Sequence, residues 1–143
     1  MPKSLLKPFT DKTSAHFHIT RGRGFRLTFD NGYALSVQFG ANNYCENRGK
    51  PSTSLGRHDV PESQLETGCT SSNAEVAVFC PDGKFYPISE HDDVEGWLSV
   101  DEVAELLDRV RKLTDVPEKD ADGKFVERDP FGLMRDLRND DQD

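Results

Sequence analysis

Short alternating stretches dominate the first forty residues. In AHFHITR (15–21), Phe17 and Ile19 fall on one side of an extended chain and His16 and His18 on the other, the period-2 pattern of a strand. FRLTF (25–29) repeats it, with Phe25, Leu27 and Phe29 together. YALSVQF (33–39) places Tyr33, Leu35, Val37 and Phe39 on one face, with Ser36 and Gln38 opposite. Between the last two stretches lies DNG (30–32). Asn-Gly supplies two positive-φ positions, so the spacing predicts a hairpin closed by a type I′ turn. No periodicity follows over residues 40–72, where Gly, Ser, Asn, Thr and Pro prevail. A connection that long inside a compact domain is usually functional or disordered.

Strand pattern resumes in SNAEVAVFC (72–80). PDGK (81–84) predicts a tight turn with Pro at its first central place, and FYPI (85–88) the returning strand. Pro87 has no N–H for a ladder, which puts that strand at an edge. HDDVEGWLS (91–99) reads as the lead-in to the single clear helix, for which Ser99 and Glu102 form a capping box. Val100, Val103, Leu106, Leu107 and Val110 make its apolar stripe, and Arg109, Arg111 and Lys112 suit the negative end of its dipole before a stop near Leu113. The expected fold is α+β: a small antiparallel sheet of hairpins, one main helix on a face, and an irregular acidic C-terminal segment. Residues 1–14 form a lead-in, 15–113 a single ligand-binding domain, and 114–143 an acidic extension available for oligomer contacts.

Charge alters this picture. The chain of 143 residues has a net charge of −8, yet residues 1–60 hold nine Lys/Arg against four Asp/Glu while residues 61–143 hold nine against twenty-two. An acidic total argues against a nucleic-acid polymer as partner, because phosphate neutralisation needs a basic face. A basic N-terminal half can still attract a small anion. No apolar run reaches the ~18 residues of a membrane span, and the start MPKSLLKPF is too short in apolar length for a secretory signal. Three cysteines in no zinc-like spacing favour reduced thiols and a cytoplasmic setting.

Enzyme signatures are missing: no nucleophile elbow, no phosphate-cradling Gly-rich loop with Lys, and no His-Glu-x-x-His. Cys45 paired with a histidine is a remote nucleophile, and His16 with His18 a remote metal pair. EKDADGKFVERD (118–129) has part of a calcium-loop spacing, but Asp129 stands where a bidentate Glu belongs and Pro130 blocks an exiting helix. The reading is therefore of a non-enzyme with no cofactor and no metal.

NYCENR (43–48) concentrates the remaining chemistry. Asn43 and Asn47 can read a ribose or base, Tyr44 offers a stacking face, and Arg48 can fork onto phosphate oxygens. Asn73 adds an amide, Arg57 a second guanidinium, Lys50 a further charge and Phe39 a second ring. Structural roles compete for each: amides satisfying turns, Phe39 in the core, Arg48 in an ion pair. Trp97, beside the helix cap, can line a pocket, although a lone tryptophan in a small domain is usually core.

Three segments together, GFRLTFDNGYALSVQFGANNYCENR, SSNAEVAVFCPDGKFYPI and DDVEGWLSVDEVAELLDRV, resemble the phage anti-Thoeris sponge family over residues 22–113. That resemblance implies an oligomer, dimer-based and up to a hexamer, in the host cytoplasm. It implies sequestration, without cleavage, of a cyclic ADP-ribose signal or a cyclic oligonucleotide, with pockets between protomers. A competing reading is an acidic inhibitor that presents its C-terminal half to a host defence protein or nuclease. A minor virion protein is a third.

Overall fold

A computed structural model describes residues 15–20, 23–49 and 70–138. Among the described residues the chain forms β1 (His16–Thr20), β2 (Gly24–Thr28), β3 (Ala34–Gln38), β4 (Asn73–Phe79), β5 (Glu95–Ser99) and α1 (Val100–Arg111). The strands make one antiparallel sheet in sequence order, β1-β2-β3-β4-β5. Registers such as Leu27↔Leu35 and Leu35↔Val78 keep one apolar row on one face. Helix α1 lies against β3, β4 and β5. The architecture is the α+β sheet-and-helix expected from the patterning.

Tyr33, Leu35 and Val37, grouped on one face by the alternation, are core residues. With Val76, Val78 and Leu98 they meet Leu106 and Val110 of α1. The helix begins with a complete capping box: Glu102 N–H donates to Ser99 Oγ at 3.2 Å, and Ser99 N–H donates to Glu102 Oε1 at 2.8 Å. Its other end is closed from outside. Asn31 Nδ2 donates to the carbonyls of Val110, Arg111 and Leu113 at 3.0, 3.3 and 2.9 Å, while its Oδ1 accepts from Tyr33 N–H.

That duty coincides with a different hairpin turn. Thr28 pairs with Ala34 and Phe29 N–H donates to Tyr33 O, so three residues, 30–32, form the loop. Gly32 is its positive-φ residue, at 92°. This is a three-residue connection closed by a left-handed glycine, and the Asn31 side chain is spent on the helix end.

Three further differences involve longer-range packing. Residues 95–99, expected as a lead-in, form edge strand β5, with a register shift opposite Ala74–Val76. Residues 85–88 form no strand: Phe85 makes one bridge to Phe79, and Pro87 is buried rather than at an edge. Phe17 and Ile19 are 84% and 79% exposed on the opposite edge strand.

The acidic segment is built into the same core as far as it is described. Leu133 and Leu137 belong to the central cluster, and Phe131 stacks on Tyr86 with centroids 5.9 Å apart. Tyr33 Oη donates to Asp115 O at 2.5 Å, and Tyr86 Oη donates to Asp129 Oδ1 at 2.6 Å. Asp129 in turn accepts from Leu133 and Met134 N–H. Asp120 accepts from Asp122 and Lys124 N–H, so both carboxylates serve turns. Among the described residues no three His, Cys, Asp or Glu groups form a metal cluster, and no helix is long and apolar enough to cross a membrane.

Candidate functional site

The loop after β3 is fastened to the sheet by its own polar groups. Asn43 Oδ1 accepts from Gly40 N–H at 2.8 Å and its Nδ2 donates to Glu75 Oε1 at 2.8 Å. Asn47, only 2% exposed, donates to Phe39 O at 2.8 Å and Thr70 O at 3.0 Å. Glu46 N–H donates to Asn73 Oδ1 at 2.6 Å. The Cys45 thiol is fully buried and lies 3.5 Å from Gly40 O, a structural position for a small apolar group. These contacts sew the exit of β3 to the entry of β4, giving buried main-chain groups the partners they need.

Two of the expected residues face outward together. The Arg48 guanidinium lies 4.4 Å over the Tyr44 ring, and Tyr44 is 42% exposed. Arg48 Nη1 donates to Asn42 O at 3.2 Å, its contact with a described main-chain group. A flat cation on an aromatic face keeps its edge N–H groups available to an anion.

Phe39 and Asn73 take a different position. They line a cavity of about 390 Å³ with Phe25, Val37, Leu98 and Val103, and Thr70 and Ser71 form its polar lip. Its size and apolar lining suit a ring or small apolar group. Asn47 and Glu46 tie the loop to residues of this cavity, Asn47 through the carbonyls of Phe39 and Thr70 and Glu46 through the Asn73 side chain. The expected cluster is therefore divided: Tyr44 with Arg48 on the surface, Phe39 with Asn73 in the cavity, Asn43 and Asn47 as fasteners. Arg57 and Lys50 lie outside the described residues.

Of the two places open to Trp97, the core is ruled out. It is 49% exposed rather than core, and its N–H donates to Tyr44 O at 2.9 Å. The strand is irregular at this point: Ala74 pairs with Leu98 and Val76 with Glu95, so Gly96 and Trp97 stand opposite the single residue Glu75. Residues 95–99 therefore carry no clean alternation from which the exposure could be read.

No protein-family model matches the chain, and neither curated proteins nor solved structures give a match. Fold and surface together define an α+β domain with an exposed aromatic–guanidinium pair and, lined by other residues, an apolar cavity.

Proposed function

We propose that this chain binds and sequesters a small phosphorylated nucleotide without cleaving it, as a phage-encoded homo-oligomer acting in the host cytoplasm against a cyclic ADP-ribose or cyclic oligonucleotide signal. The observation that carries the reading is the outward-facing stack of Arg48 on Tyr44, 4.4 Å apart. Stacking orients the guanidinium before a ligand arrives, which lowers the ordering cost of gripping phosphate oxygens. The neighbouring amides support the reading indirectly by fixing the loop from which the pair projects. The resemblance over residues 22–113 supplies the particular signal. To test it, the protein is purified from cells with an active TIR enzyme, heat-denatured, and the supernatant examined by mass spectrometry. Release of an intact nucleotide is expected; a cleaved product contradicts sequestration.

The exposed carboxylates of Glu118, Asp122 and Glu127 favour a second reading, an acidic inhibitor of a host protein. Removing residues 114–138 cannot separate the two, because Leu133 and Leu137 would leave the core. The triple variant Glu118→Gln, Asp122→Asn, Glu127→Gln alters exposed side chains alone and is expected to keep the fold, checked by its melting temperature. It retains anti-defence activity under the nucleotide reading and loses it under the inhibitor reading.

A further inference from the structure

We infer that Trp97 is the base-stacking residue of the Tyr44–Arg48 surface; this rests on the nucleotide-binding reading and names where the base sits. Three observations converge. Trp97 has φ of 59°, a left-handed backbone that bulky side chains rarely adopt and that persists where surrounding structure enforces it. Its strand is bulged at this point: Val76 pairs with Glu95 and Ala74 with Leu98, so β5 carries one extra residue. Bulges re-aim side chains, often beside binding sites. The outcome here is a large indole half in solvent instead of in the core.

The bulge is also built against Tyr44. Trp97 N–H donates to Tyr44 O rather than continuing the ladder. A Cβ on Gly96 would stand 2.5 Å from the Tyr44 Cβ, so only glycine allows this approach. Arg138 braces the other side, donating to the carbonyls of Gly96 and Trp97 at 3.0 Å each and pairing with Glu95. Two exposed aromatic residues thus occupy adjoining backbone positions, and one already carries a guanidinium. A flat base on the indole with its phosphates at Arg48 uses all three groups, and base–aromatic stacking is a strong and composition-tolerant contact.

Trp97 is the chain's single tryptophan, so intrinsic fluorescence reports on this position alone. Wild-type protein is titrated with cyclic ADP-ribose, ADP-ribose and AMP, with ribose 5-phosphate as the base-free probe, and binding is measured in parallel by equilibrium dialysis. Fluorescence is expected to quench with the dialysis midpoint for at least one base-containing probe and to stay unchanged with ribose 5-phosphate. Trp97→Phe should bind within about threefold of wild type, and Trp97→Gly at least about tenfold more weakly. Because glycine accepts φ of 59°, Trp97→Gly should melt within a few degrees of wild type or higher; a structural tryptophan would instead lower the melting temperature without changing affinity. Binding by dialysis with unchanged fluorescence and unchanged Trp97→Gly affinity overturns the role of Trp97 alone. No binding by wild type of any of these probes, or of a cyclic dinucleotide and a cyclic trinucleotide run alongside, overturns this inference and the nucleotide reading together.

Discussion

Neighbouring amides and guanidiniums in this chain do opposite kinds of work, and single substitutions separate them. Asn47 is buried with both donors on main-chain carbonyls. Asn47→Ala leaves Phe39 O and Thr70 O without that partner and should cost about 1–3 kcal/mol in denaturant unfolding. Arg48 sits next in sequence but in solvent, so Arg48→Ala should change stability by no more than about 0.5 kcal/mol while weakening ligand retention. Asn31 is the third case. Losing its three donations to the end of α1, Asn31→Ala should lower stability by about 1–2 kcal/mol, seen as a reduced melting temperature. An Asn47→Ala protein as stable as wild type would show that the loop is held by other means.

At the scale of elements, alternation and capping were legible because they depend on neighbours along the chain. Tyr33, Leu35 and Val37 fall inward as their spacing demands, and Ser99 with Glu102 closes the helix start. What the sequence did not disclose depends on partners far away. Asn-Gly predicts a type I′ turn, yet the Asn31 amide is engaged 79 to 82 residues on, and a glycine alone takes the left-handed turn position. Residues 85–88 looked like a strand, but Tyr86 is turned to Asp129 and Phe131 instead. The candidate site was legible in its residue types and less so in its division between surface and cavity, because an asparagine's sequence does not say which carbonyl it will meet. The acidic segment follows the same logic: Leu133 and Leu137 anchor it, and Leu133→Ala should cost about 2–5 kcal/mol, as expected of a fully buried leucine.

For the whole molecule, buried acids set the response to pH. Burial pushes the Cys80 thiol up to about 12, with Asp82 adding to the effect. Burial likewise raises the Tyr33 and Tyr86 phenols above their ordinary 10.0. Each stays neutral in the folded chain and ionises first in the unfolded one. Their stabilising contribution is therefore complete below the ordinary thiol value of 9.0 and falls as pH rises beyond it. Each group adds a slope of up to about 1.4 kcal/mol per pH unit. Urea midpoints between pH 8 and 11 should fall steeply, and Cys80→Ala should flatten the first part of that fall; a flat profile would contradict the burial of these groups.

The most direct measurement is native mass spectrometry of wild-type and Arg48→Ala protein from cells with active TIR signalling, which gives subunit number and the mass of any bound molecule at once. The account predicts a discrete oligomer carrying a nucleotide-sized passenger in the wild type, and the same oligomer empty in the variant. A wild type with no passenger, or a variant that retains it at full occupancy, would contradict the claim that this surface grips a phosphorylated guest.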